Sequence, residues 1–76
     1  MPPMDAELLH RITVDPARMG GRPCIRDLRV TVGVIVGALA GGRTVDEVLA
    51  AYPYLERDDI RAALAWAAWR AQETAL

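Results

Sequence analysis

Between Gly20 and Val32 the chain reads GGRPCIRDLRVTV, a stretch that leaves the backbone few paths. The paired glycines permit backbone angles that other residues find costly. Pro23 fixes its own φ and drives Arg22 toward extended geometry. Beyond it, Cys24-Ile25-Arg26 and Arg29-Val30-Thr31 alternate apolar and polar residues around Asp27-Leu28, the pattern of two very short strands or extended arms. Three arginines, Arg22, Arg26 and Arg29, fall inside this segment of a chain that has no lysine. Both a rigid, arginine-studded arm and a purely structural turn-and-strand collar fit these residues.

Punctuation divides the rest. Residues 1–9 are expected to be a flexible tail, and residues 10–76 a single domain made of a β arm (10–32) and a helical bundle (33–76). Arg11-Ile12-Thr13-Val14 reads as a short strand ended by the turn-forming pair Asp15-Pro16. Val34, Ile35, Ala38 and Leu39 recur at helical spacing, with Gly33 as an acceptable N-cap and Gly41-Gly42 as the stop. Thr44-Val45-Asp46-Glu47 fits a capping box, in which Thr44 accepts from the Glu47 amide and Glu47 reaches back. That second helix carries Val45, Val48, Leu49 and Tyr52 on its apolar side, and Pro53 ends it. A third, longer helix should begin near Glu56, with Asp58 and Asp59 at the positive end of its dipole and Leu55 and Ile60 placed as a hydrophobic staple. The expected fold is therefore mainly α: a three-helix, helix-turn-helix bundle preceded by a short N-terminal β arm.

A chain of 76 residues, 53% hydrophobic and without phenylalanine, must build its core from Ala, Val, Leu and Ile. Such a core is marginal, and a dimer would bury a second apolar surface. One cysteine permits no internal disulfide, which fits a reducing cytoplasm. The beginning, Met1-Pro2-Pro3-Met4-Asp5, lacks the pattern of a signal peptide, and the longest apolar run, Val30 to Ala40, is too short to span a bilayer. A cytoplasmic protein with no membrane contact is expected. The net charge of −1 hides an uneven split, because six of the nine arginines precede Thr44 while six of the ten acids follow it. Any DNA contact would thus be local, dimeric and salt-sensitive.

On the third helix, Ile60, Ala63, Leu64, Ala67 and Ala71 form one apolar stripe, assigned to the core. Ala62, Ala65, Trp66 and Trp69 lie on the opposite side and suggest a homodimer interface. The alternative is that the N-terminal arm folds over them. No enzyme signature is present. His10 stands alone in the tail, Cys24 has no histidine partner placed by the sequence, and Asp58-Asp59 point about 100° apart on a helix, where cap logic already accounts for them. Gly20-Gly21 lacks the spacing and lysine of a phosphate loop. No catalytic residue, metal site or cofactor is expected.

The segment with its flanks resembles the domain-of-unknown-function family 433, small prokaryotic proteins. The matching residues are Ile12-Thr13-Val14-Asp15-Pro16, Gly20, Gly21, Pro23, Ile25, Arg26, Arg29, Val30 and Val32, continuing through Tyr52-Pro53 and Asp59-Ile60-Arg61-Ala62-Ala63-Leu64. The resemblance spans roughly His10 to Ala71. Asp27-Leu28 stands where the family usually has Gly-Thr, and Thr31 where proline is common. What the resemblance implies is a homeodomain-like core and an antitoxin role beside a PIN-like ribonuclease toxin that holds metal in clustered carboxylates. On that reading Arg22, Arg26 and Arg29 engage the toxin through charge-assisted contacts. Operator DNA would be met by Arg57 and Arg61 at the start of the third helix, with Arg43 and Thr44 on phosphate. Glu56, Asp58 and Asp59 place negative charge at that same end. The competing expectation is a homodimeric protein-interaction or adaptor module that binds no DNA.

Overall fold

A helical turn, α1 (Ala6–Leu9), opens the computed structural model, which describes residues 6–74. It is followed by β1 (Ile12–Thr13), β2 (Cys24–Ile25), α2 (Val32–Ala40), α3 (Val45–Ala51) and α4 (Arg57–Thr74). The domain is thus mainly helical, with three substantial helices behind a two-stranded hairpin. Residues 6–9 depart from the expected flexible tail. Leu8 is buried and α1 packs against α4, so apolar contact overrides the weak helix signal of so short a segment. The expectation for residues 1–5 lies outside the described residues.

β1 and β2 run antiparallel, with Ile12 opposite Ile25 and Thr13 opposite Cys24. The chain between them turns where expected. The Asp15 carboxylate accepts from the Ala17 amide at 2.9 Å and its carbonyl accepts from the Arg18 amide at 2.9 Å. After β2 the chain doubles back, the Ile25 amide donating to the Val30 carbonyl at 2.9 Å while Cys24 bridges to Thr31. Without glycine in this turn, three of its residues take left-handed angles: Arg26 (φ 44°), Asp27 (φ 65°) and Arg29 (φ 61°). Such angles cost an L-residue about 1–2 kcal/mol each.

α2 begins two residues earlier than the expected Gly33 cap. Thr31 is the N-cap, its hydroxyl oxygen accepting from the Val34 amide at 3.1 Å, and Val32 donates its amide to the Pro23 carbonyl at 2.9 Å. A glycine has no side chain with which to compete for that role. The helix ends as expected. Gly42 takes φ 100°, which lets its amide reach the Leu39 carbonyl and the Arg43 amide reach the Ala38 carbonyl, both at 3.1 Å, a Schellman closure. The capping box at α3 is complete: Glu47 donates its amide to the Thr44 hydroxyl at 3.1 Å, and the Thr44 amide donates to the Glu47 carboxylate at 2.8 Å.

One core joins these elements: Ile25, Val30, Val32, Ile35, Val48, Leu55, Ile60 and Ala63, with Trp66 packed against it. The inward face of α4 is rotated from the expected stripe. Ile60 and Ala63 are buried, but Leu64 is 44% exposed and Ala71 is exposed, while Asp59 and Ala62 are both 0% exposed. A polarity pattern assigns Asp59 to solvent; the chain instead pairs it and turns it inward, and this carries the buried face toward Ala62 and Trp66.

Candidate functional site

The hairpin turn and the first turn of α4 are tied through one carboxylate. Asp59 sits at the third position of α4, where its Oδ2 accepts from the Glu56 amide at 2.8 Å and completes the helix cap that Glu56 lacks in its own side chain. From the hairpin, Arg26 donates side on: Nε to Oδ1 at 3.0 Å and Nη2 to Oδ2 at 2.9 Å, with Nη2 also within 3.2 Å of the Tyr54 carbonyl. From the residue before β1, Arg11 donates Nη1 to Asp59 Oδ1 at 3.0 Å and to Glu56 Oε1 at 2.8 Å. Burial alone would push the Asp59 carboxyl up. Hydrogen bonds from Arg26, the Glu56 amide and Arg11 outweigh it and hold the carboxyl below its ordinary value. Hydrogen bonds to Glu56 and then Asp59 raise Arg11, and those to Asp59 raise Arg26, above the usual guanidinium value, against the desolvation each undergoes.

This knot reassigns one candidate. Arg26 was expected to face a partner, but its guanidinium is engaged by Asp59 and Tyr54 within the chain. From its left-handed backbone the side chain reaches Asp59 on α4 while staying partly exposed. Arg22 and Arg29 remain exposed, and among the described residues neither side chain makes a hydrogen bond or ion pair. Arg22 edges an open groove of about 470 Å³ with Pro23, Thr31, Val32, Gly33 and Val34. Arg29 lines a separate recess of about 100 Å³, shared with Ala17, Arg18 and Met19. Arg18 therefore belongs to the arginine surface although it precedes the motif that drew attention.

The residues expected to meet DNA are placed less favourably. Arg57 is ion-paired with Asp46, and Arg61 with Asp58 at 3.3 Å. The Thr44 hydroxyl is occupied by its cap, leaving Arg43 exposed at the start of α3. Of the expected dimer face, Ala62 is corrected: it is fully buried within the chain, on the side of α4 that turns inward with Asp59. Ala65, Trp66 and Trp69 are half-buried, and the two indoles meet edge to face with centroids 5.3 Å apart. Sequence reasoning missed Arg11 and Asp59 because each was explained by a local role, strand residue and helix-end acid. Asp59 lies in the charged run Glu56-Arg57-Asp58-Asp59-Ile60-Arg61, where nothing in the sequence sets it apart from its neighbours.

Among the described residues no group of three or more His, Cys, Asp or Glu is placed to hold a metal ion, and no helix is long and apolar enough to cross a membrane. A small helical domain is thus fronted by an arginine-bearing hairpin pinned through a buried carboxylate. The chain belongs to the DUF433 family, described as a protein of unknown function, whose model matches residues 12–67. It is also 36% identical over 56 residues to the uncharacterized protein y4eO of Sinorhizobium fredii (strain NBRC 101917 / NGR234), covering 74% of this chain and 25% of that protein. This chain therefore spans about a quarter of that relative's length. No solved structure matches it.

Proposed function

We propose that this chain is a non-catalytic, antitoxin-type protein-binding module, which presents Arg22 and Arg29 from its pinned hairpin to a carboxylate-rich partner such as a PIN-like ribonuclease. One observation carries the reading: of the three arginines in the hairpin segment, Arg26 is held by Asp59, whereas Arg22 and Arg29 make no side-chain contact of that kind among the described residues. On a fixed backbone only the side-chain rotamers remain to be ordered when a carboxylate docks, and the charge-assisted bonds that form are strong. Operator binding has weaker support, because Arg57 and Arg61 already meet acids of their own chain. Self-association through Ala65 and Trp69 belongs to the same reading, since both stay partly open to solvent.

Co-purification with a clustered-carboxylate nuclease encoded beside this chain tests it. Arg22→Ala with Arg29→Ala should weaken complex formation and inhibition about tenfold or more, with the far-ultraviolet circular dichroism unchanged. Arg57→Ala with Arg61→Ala should leave both intact. Equal losses in the two double variants would reject the hairpin as the binding surface.

A further inference from the structure

All three left-handed residues of the hairpin turn serve its closure through the Leu28 amide on the Ile25 carbonyl and the Ile25 amide on the Val30 carbonyl, and two of them also make a polar contact of their own. Arg26 is drawn to the buried carboxylate of Asp59, and the Asp27 amide donates to the Thr13 hydroxyl at 3.3 Å. Arg29, at φ 61°, has no such return: its side chain is exposed and forms no hydrogen bond or ion pair among the described residues. Its guanidinium lines the recess of about 100 Å³ together with Arg18. Arg18 in turn stands 3.7 Å from Asp15 and 3.9 Å from Asp27, beyond hydrogen-bond reach of either carboxylate. One concave patch is therefore lined by Arg29, whose donors are unspent, and by Arg18, which is held only in long ion pairs.

We propose that Arg18 and Arg29 form a seat for a single carboxylate, the side chain of an aspartate or glutamate on a partner protein. The flanking acids decide the class of ligand. Asp15 and Asp27 both pair with Arg18, so the patch has no surplus charge with which to gather a polyanion such as a nucleic-acid backbone, and an anion must be held there by directed hydrogen bonds from Arg29 and Arg18. One carboxylate, taken bidentate by one arginine and bridged by the other, fits both the donors and the small volume. Met19, 39% exposed on the rim, offers an apolar contact to the methylene beside that carboxylate. The seat rests on the reading of this chain as a protein-binding module, which it deepens by adding Arg18 and separating Arg29 from Arg22.

N-acetylaspartate N-methylamide, titrated into the full chain while the arginine Nε–H resonances are followed, tests the seat without any partner. Saturable shifts are expected at Arg18 and Arg29, and Arg18→Gln or Arg29→Gln should each weaken binding about tenfold. Arg57→Gln, at an arginine already paired with Asp46, should leave it unchanged. The seat is overturned by an absence of saturation, by an equal loss in Arg57→Gln, or by inorganic phosphate saturating the same resonances as tightly. Partner capture separates the two readings. A nuclease that still binds Arg18→Gln at full strength rejects the seat alone, whereas saturable carboxylate binding by a chain that captures no nuclease keeps the seat and rejects the antitoxin role.

Discussion

Arg26 and Asp59 stand 33 positions apart in sequence and meet through two parallel hydrogen bonds, Nε to Oδ1 at 3.0 Å and Nη2 to Oδ2 at 2.9 Å. The contact fixes the hairpin turn onto the first turn of the longest helix. It also turns an arginine that reads as a binding residue into a structural one, so that the free charge of the hairpin resides in its neighbours. A buried carboxylate with four hydrogen bonds is costly to strand, because each donor it leaves must find water or go unpaired.

Asp59→Ala is therefore expected to lower unfolding free energy by about 3 kcal/mol, and Arg26→Ala by about 2 kcal/mol, the smaller figure reflecting an arginine that stays partly solvated. Asp59→Asn, which keeps an acceptor for the Glu56 amide, should cost less than the alanine. Urea unfolding of the single and double variants checks this through their coupling. Losses below about 1 kcal/mol for Asp59→Ala would show that the knot is incidental.

The depressed Asp59 carboxyl gives the acid response a direction. Its folded-state value lies below its unfolded one, so the stabilisation is complete above the ordinary aspartate value of about 4 and is lost as pH falls through the lower, folded value. Wild-type protein should lose stability as the medium is acidified below about pH 4, and Asp59→Asn should show a shallower slope over that window. Parallel slopes in thermal unfolding would assign the acid response to other carboxylates. The raised values of Arg11 and Arg26 act only in strong alkali, where their contribution would be lost.

Local signals were legible wherever a short-range rule decides the outcome. The Thr44–Glu47 capping box, the Gly41-Gly42 stop and the Asp15-Pro16 turn each depend on residues within five positions of one another. The family resemblance also pointed to the hairpin as the segment that matters. What the sequence concealed was non-local. The inward face of α4 follows from pairing Asp59 with Arg11 and Arg26, and no periodicity reveals a charge that will be neutralised by residues 48 and 33 positions away. The same pairing moved Ala62 from the outer face to the interior and Arg26 from the candidate surface to the frame.

Gly37 lies in the middle of α2, exposed, with nothing within 4 Å of the position a Cβ would take. Gly37→Ala should therefore raise stability by about 0.5–1 kcal/mol, the helix-interior difference between the two residues. A raised Tm in calorimetry is the expected result. A fall would mean that another surface closes over this face in solution.

The two tryptophans should separate in their effects. Trp66 packs on the core, so Trp66→Ala is expected to destabilise the monomer fold by about 2 kcal/mol. Trp69 lies further along α4, outside that core set, and Trp69→Ala should instead convert a dimer into a folded monomer. Sedimentation and urea unfolding read the two effects independently. A wild-type chain that sediments as a monomer at high concentration would remove the dimer from the reading.

Strain at Arg29 sets stability against binding. Replacing it by glycine relieves a left-handed angle worth about 1–2 kcal/mol and gives back up to about 1 kcal/mol through the freer unfolded chain, so Arg29→Gly should stabilise the fold by a few tenths to about 1 kcal/mol. Asp27→Gly should gain less, because aspartate tolerates that region better than arginine does. The two variants should then part in function. Asp27→Gly keeps both guanidiniums of the recess and should bind carboxylate at least as well as the wild type, while Arg29→Gly should be the more stable protein and the poorer binder. Urea unfolding together with the acetylaspartate titration measures both axes. Destabilisation by Arg29→Gly would mean that the arginine makes a contact within the fold, and the opposition of stability and binding at this position would fail.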